Sequence, residues 1–388
     1  MWRRFKVAAL YTGGLLGPLG GGIVAPMLPQ VGRSVHASST AVATSLTAYF
    51  VPFAVLQLVS GTLGERWGRR RTVLVAYLVY ALASVACALA PTLATFLGGR
   101  ALMGGANAFT SPLLLAGLGS TVPPERLNRA IGVFSSFQAA GSSFAPLLGG
   151  LAAASSWRLA FVFVAGAAIL LALAPPPGEP RPGAEAPSWR PLVSGRMGLL
   201  STGAFLSYIG AAALPFLVAL YAADALSLRP DLTGLALVGF GLSGLLLGSV
   251  WGAATERFGS RACAIVGAAV TAVFVAAVGV SGSVPALIAC WTLAGAGSSL
   301  LTVALQDLTM RAIPGNRGGA LSAVSAFRFA GAAVAPLVWL PIYHGAPSRA
   351  FAAAGVSLLI AIPALRAAEN PGGRPDHSTG SGSTSCRA

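Results

Sequence analysis

Two arginines raise the first chemical question. Arg100 and Arg328 are the only basic residues deep inside long apolar runs of this 388-residue chain. A charge at such a position costs several kcal/mol unless it is paired or wetted, which makes each a functional candidate by default. Arg100 stands near enough to the end of its run for its guanidinium to snorkel outward. Arg328 stands deeper. Gln138 precedes Arg328 by 190 positions (328 − 138), a separation that recurs below. Asn107, Tyr49, Gln57 and Tyr208 are further polar groups within apolar runs, suited either to a cavity wall or to hydrogen bonds between helices. The ten acids leave none in the middle of a run; Asp307 and Asp224, each close to an end, come nearest. Of the two, Asp307 is the nearer in sequence to Arg328. A pair with Arg328 is within reach of an extended side chain and a bridging water, because their depths differ by about 10 Å at 1.5 Å per residue.

Other chemistries find no support. No P-loop is present, so the chain does not hydrolyse ATP on its own account. His36, His344 and His377 fall outside the apolar runs, which leaves no credible Ser/His/Asp set and no metal site. Gly239-Phe-Gly241-Leu-Ser-Gly244 fits a dinucleotide fingerprint by letter, but it lies inside an apolar run rather than between a strand and a helix. Cys87, Cys263 and Cys290 also lie in apolar runs and Cys386 in the tail, with no CxxC spacing. No cofactor is expected, and no enzyme.

These residues must be positioned by helices in lipid. Hydrophobic residues make up 55% of the chain and charged residues 9%, against about 25% charge in soluble domains. That leaves too little charge to wet a globule of this size. The net charge of +15 would suggest nucleic acid in a soluble protein, but here the charges form short clusters between apolar runs. Spans need about 20 apolar residues. Twelve such runs are read at 7–28, 41–61, 72–90, 94–118, 130–152, 159–174, 198–222, 233–253, 262–280, 285–308, 319–341 and 349–367. The first follows a basic start, as in a signal peptide, but it is too long and leads into a second span, so it reads as an uncleaved helix. With the N-terminus inside, the cytoplasmic segments collect nineteen arginines and lysines and the outer loops four. The positive-inside rule then puts both termini in the cytoplasm, and the membrane expected is the cytoplasmic (inner) one.

The chain repeats itself. Residues 175–197, rich in proline, glycine and charge, form a connector between an N-terminal six-helix bundle (1–174) and a C-terminal one (198–367); 368–388 reads as a disordered cytoplasmic tail. Gly61-Thr-Leu-Gly-Glu65-Arg66-Trp67-Gly68-Arg69-Arg70 is echoed by Gly252-Ala-Ala-Thr-Glu256-Arg257-Phe258-Gly259-Ser260-Arg261, offset 256 − 65 = 191. Ala140-Gly-Ser-Ser-Phe-Ala-Pro146 is echoed by Ala330-Gly-Ala-Ala-Val-Ala-Pro336, offset 336 − 146 = 190. Two similar bundles can rock about a site between them and expose it to each side in turn. The expected fold is thus all-α and polytopic, with twelve helices in two pseudo-symmetric bundles.

With those residues in view, the chain resembles the major facilitator superfamily over about residues 5–367. The loop from Gly61 to Arg71 resembles its signature loop, with Glu65 in place of the usual Asp. Leu97 to Gly105, containing Arg100, resembles the fourth-helix motif, with Met103 for the common Gln. Gly141-Ser-Ser-Phe-Ala145-Pro146-Leu-Leu-Gly149-Gly150 resembles the fifth-helix motif of drug:proton antiporters, with Ala145 where Gly is usual. The resemblance implies a major facilitator fold and a secondary transporter that exports small amphipathic or hydrophobic compounds by alternating access, in exchange for protons. The alternative is an importer or uniporter of a polar metabolite. It implies a monomer in a lipid bilayer whose partners are a small-molecule substrate and the proton, with Asp307 as the candidate to carry that proton. The loop residues Gly61, Glu65, Arg66, Gly68, Arg69, Arg70, Glu256, Arg257 and Gly259 are expected to latch the cytoplasmic side, with Glu65 pairing to a nearby arginine. The glycines and Pro146 of the fifth helix are expected to make a smooth, bent surface packed against the opposite half.

Overall fold

The computed structural model describes residues 2–24, 27–176, 178, 188–228 and 230–367. Within them the chain is helical, with no strand. The N-terminal half holds α1 (Trp2–Gly22), α2 (Leu28–Ser34), α3 (Ser39–Trp67), α4 (Arg69–Leu89), α5 (Leu93–Asn107), α6 (Ser111–Thr121), α7 (Leu127–Ser155) and α8 (Arg158–Ala172). The C-terminal half holds α9 (Gly195–Ser207), α10 (Pro215–Asp224), α11 (Pro230–Phe258), α12 (Ser260–Val278), α13 (Val284–Ala312), α14 (Arg317–Gly345) and α15 (Pro347–Ala367). Taking α5 with α6 and α9 with α10, and setting α2 beside α1 as its short continuation, gives twelve rods. Eight of them are long and apolar enough to cross a membrane.

Three rods depart from the expected continuous spans, each for a local reason. The first helix ends at Gly22 and not at 28, within a glycine-rich stretch that holds a helix poorly. The fourth rod breaks after Asn107, where the Thr110 hydroxyl donates to both the Asn107 carbonyl (2.8 Å) and its side-chain oxygen (2.9 Å) before Pro112 restarts the helix. The seventh rod widens into a π-turn over Tyr208–Ala212, ahead of Pro215. π-turns of this kind recur at functional positions. The Trp339 indole donates to the Ile209 carbonyl at 2.7 Å and ties that turn to α14.

Each half buries its own apolar core, one around Phe96, Phe134 and Phe161, the other around Trp291, Phe351 and Leu358. Trp251 packs against both, and Val303, Met310 and Leu321 of the second half join the first core. Outward, large apolar side chains stay bare: Leu82, Leu89, Leu170 and Leu337 are 68–77% exposed. An apolar outer surface on this scale matches a lipid solvent.

The repeat is visible in the backbone. A single glycine joins α3 to α4 and another joins α11 to α12: Gly68 (φ 94°) and Gly259 (φ 82°). Positive φ strains residues with a Cβ, so only glycine makes these one-residue elbows cheaply. The tail at 368–388 and positions 177 and 179–187 of the connector lie outside the described residues. The remainder of the connector includes a short 3-10 turn at Arg190–Val193.

Candidate functional site

The two halves meet at the end that carries both elbow loops, referred to below as the arginine-rich end. There α3 packs on α14, and α7 on α11. Contact between α3 and α14 is backbone-close: a Cβ on Gly61 would overlap the Gly318 carbonyl. The Gly61 N–H donates to the Ser322 hydroxyl (3.2 Å), which in turn donates to the Gln57 carbonyl. Between α7 and α11, Gly132 faces Gly248, Ser136 faces Gly244 and Gly248, and Gly252 lies on the backbone of Asn128 and Arg129.

The acids of the elbow loops reach across this seam. Glu65 receives both bonds from the Arg69 guanidinium (2.6 and 2.9 Å), and Arg69 also donates to Ser120 at 2.9 Å. The same carboxylate stands over Gly318 in the first turn of α14. Its repeat counterpart, Glu256, accepts from the Arg129 backbone N–H in the first turn of α7 at 2.8 Å. Each half therefore sets an acid on the positive end of a helix in the other half. Arg66 lies 5.6 Å from the centre of the Trp189 ring, and Arg257 lies against Phe258. The Arg70 backbone N–H donates to the Gly178 carbonyl at 3.1 Å.

Asp307 belongs to this seam as well. Its buried carboxylate takes the Ser260 hydroxyl at 2.5 Å and the Arg311 Nε at 2.8 Å. Arg311 continues to the Asn128 side chain in the other half at 3.2 Å. The expected approach of Asp307 to Arg328 is not made. Arg311, one helical turn away, takes the acid, while Arg328 donates to the Tyr208 hydroxyl and lies 4.6 Å over the Tyr208 ring.

Beside the seam opens a small polar cavity, lined by residues of the second half. Tyr208 on the π-turn, Arg328 and Ser325 on α14, and Thr302 and Gln306 on α13 supply its polar wall; Leu321 is among its apolar residues. Gln306 is the link to the first half: it accepts from Ser135 (2.9 Å) and donates to Gln138 (3.4 Å).

Arg100, Tyr49 and Asn107 form a separate buried cluster. Arg100 does not snorkel. Fully buried, it donates to the carbonyls of Gly20 (2.7 Å) and Gly21 (3.2 Å) and lies 4.4 Å over the Tyr49 ring. Those carbonyls are the unsatisfied last turn of α1, the negative end of its dipole, so the cation is compensated by backbone and not by an acid. The Tyr49 hydroxyl donates to the Gly17 carbonyl at 3.2 Å, and Asn107 packs against Gly17. A line of aromatic contacts, Tyr49–Phe53–Phe329–Tyr208, with centroids 6.3, 4.6 and 6.0 Å apart, joins this cluster to the cavity across the seam.

The fifth-helix expectation needs correcting. Gly141 packs against the Leu15 carbonyl of α1 in its own half, and Ala145 lies beside Gly22. The face that meets the other half is Gly132, Ser136, Ala139 and Ser143, spaced 4, 3 and 4 residues apart along one helix stripe. Helix phase turns Gly141 and Ala145 toward α1. Pro146, Gly149 and Gly150 all lie within α7. Sequence reasoning also missed Gln306, Phe53 and Phe329; a polar residue next to Asp307 and an aromatic next to Arg328 were the available signals.

Two helical bundles with apolar outer faces, joined at a seam beside a polar cavity, define a multi-pass membrane protein. The sequence profile of the Major Facilitator Superfamily matches residues 10–203 and 200–388, and the chain belongs to that family. Over 143 residues it is 34% identical to the tetracenomycin C resistance and export protein of Streptomyces glaucescens, covering 37% of this chain and 27% of that one. Over 142 residues it is 31% identical to the drug efflux pump JefA of Mycobacterium tuberculosis, covering 36% and 28%. The chain thus spans about a third or less of the length of these relatives. In fold it is similar to the human organic anion transporter MFSD10 (TM-score 0.80, 18% identity, 94% of this chain and 99% of that one) and to the E. coli fucose:proton symporter FucP (0.79, 13%, 95% and 100%).

Proposed function

We propose that the protein is a secondary active exporter of small amphipathic or hydrophobic compounds, working by alternating access in exchange for protons. The observation that carries this reading is the seam. Two similar bundles are shut against each other by breakable contacts at one end, with a polar cavity next to the shut end. Similarity to export and resistance proteins favours the outward direction.

In this reading 1–174 and 198–367 are the rocking bundles, 175–197 is their cytoplasmic connector and the chain acts as a monomer in the inner membrane. The arginine-rich end faces the cytoplasm, as does each terminus. Glu65, Arg69 and Glu256 latch that side. Arg328, Tyr208 and Gln138 border the substrate path, and the Arg100–Tyr49–Asn107 cluster braces it from the first half. Asp307 is the proton carrier: protonation would weaken its hold on Arg311 and so the bridge to Asn128. Loss of a charge-assisted bond is worth about 1.5–3 kcal/mol, enough to bias a rocking equilibrium.

The test compares the sensitivity of cells with and without the protein to a panel of drugs and dyes, followed by dye efflux from inside-out vesicles under an imposed pH gradient. Export is expected to raise resistance to several compounds and to stop when the gradient is collapsed. Equal sensitivity across the panel would overturn the reading.

A further inference from the structure

The charge around Arg328 is left without an anion. Among the described residues lining the cavity none is acidic. The nearby acid in the seam, Asp307, is committed to Arg311 and Ser260, and Asp224 is committed to Tyr343, whose hydroxyl donates to it at 2.9 Å. What Arg328 meets is a neutral hydroxyl and a ring face. Arg100, the other buried arginine, is satisfied differently, since it rests on the carbonyl end of a helix. Arg328 sits twelve positions into α14, and its hydrogen bond is to the Tyr208 side chain rather than to backbone carbonyls.

A guanidinium presents five donors in a planar fork, and the Tyr208 hydroxyl uses only part of it. Having accepted from Arg328, that hydroxyl must point its own proton elsewhere, which makes it a second donor beside the fork. The Ser325 hydroxyl lies one helical turn before Arg328 on the same wall. Leu305, Leu321 and Val324 are the apolar residues of the lining. A fork of donors with three alkyl side chains in the same lining fits a small molecule with one planar anionic group and an apolar part. Carboxylate geometry matches the fork bidentately.

We propose that Arg328 and Tyr208 form the anion-binding subsite of this cavity, and that the cargo is a small amphipathic organic carboxylate. The assignment rests on the transporter reading and names its substrate class. The missing counter-charge arrives with the cargo. An empty cavity then leaves a cation in low dielectric, and a bound carboxylate neutralises it, so loading itself removes a charge from the site before the bundles rock.

Purified full-length protein in lipid nanodiscs would be titrated with three probes of one shape: 1-naphthoate, 1-naphthamide and 1-naphthylmethylammonium. The wild type is expected to bind the carboxylate about tenfold or more tighter than the amide, the usual scale for a charge-assisted pair, and to bind the ammonium most weakly. Arg328→Gln should erase the preference, and Arg328→Lys should keep part of it. Tyr208→Phe, which removes one atom and leaves the guanidinium in place, should weaken the carboxylate several-fold and the amide less; it carries the test if the arginine variants do not fold. Equal affinity for carboxylate and amide in the wild type overturns the assignment, as does undiminished preference in Arg328→Gln. Vesicles that export ethidium yet show no preference for naphthoate would sink the carboxylate subsite and leave export standing. Selective naphthoate binding with no solute moved across vesicles would do the reverse.

Discussion

Gly252 offers a one-atom probe of the seam. A Cβ built there would lie 2.5 Å from both the Arg129 Cα and the Asn128 carbonyl oxygen of the other half. Carbon meets carbonyl oxygen at about 3.3 Å and carbon at about 3.5 Å, so Gly252→Ala must push α11 off α7 by about 1 Å. Both facing atoms are backbone and cannot swing away. The same displacement stretches the 2.8 Å bond from the Arg129 N–H to Glu256 to about 3.8 Å, beyond useful hydrogen-bonding range. A bond to a charged group is worth about 2 kcal/mol, which corresponds to about a thirty-fold shift away from the closed seam. Accessibility of a cysteine at Ser135, which lies 8% exposed under the seam, reports that shift. In a background lacking the four native cysteines, inside-out vesicles carrying Gly252→Ala should label Ser135→Cys many times faster than the parent. Gly98→Ala and Gly166→Ala, whose added carbon meets nothing within 4 Å, should label at the parental rate. Parental labelling of the Gly252 variant would refute the seam as a closed gate.

Four further outcomes follow from the same geometry. Gly68→Leu puts a branched side chain at φ 94°, a cost of about 1–2 kcal/mol at the elbow, and should cut transport while the protein still inserts and runs as a single species on size exclusion. Asp307→Asn should lose substrate-induced proton movement in vesicles; undiminished flux would exclude this acid as the carrier. Asn128→Ala removes the far end of the Arg311 bridge and should raise Ser135→Cys labelling without stopping proton binding, since Asp307 keeps Ser260 and Arg311. A thiol introduced at Ser227 should react with an impermeant reagent from outside the cell and one at Ala184 only from inside, and outside labelling of both would overturn the topology.

Much of the fold was legible because lipid leaves a strong imprint on composition. Runs of twenty uncharged residues, and a loop copied 191 positions later, announce helices and a duplicated bundle. The elbows were legible too, as Gly68 and Gly259 stand at matched places and only glycine suits the backbone there. What was hidden depends on phase and on termini. The fifth-helix motif told that small residues matter, but which neighbour they meet is decided by 100° per residue, and the stripe at 132, 136, 139 and 143 was the pattern to follow. The environment of Arg100 was hidden because a helix end at Gly22 creates it, and free carbonyls have no letter in a sequence. The partner of Asp307 was misjudged by looking to the next helix when Arg311 stood one turn along its own.

Where α3 meets α14 and α7 meets α11, the closest approach of the halves is made by glycine, serine and backbone. Large side chains interlock, and pulling them apart means resetting rotamers one by one, each with its own barrier. Here Gly61 faces Gly318, Gly132 faces Gly248 and Gly252 faces Arg129 through main-chain atoms. Such surfaces behave like two worn cobbles laid together, with few teeth to disengage and nothing to re-register when they close again. Along these stretches the hold rests on a handful of charged and hydroxyl contacts. Parting these stretches would mean breaking the contacts of Glu65, Glu256 and Arg311, while side-chain interlock is left to a few places such as the Phe53–Phe329 pair.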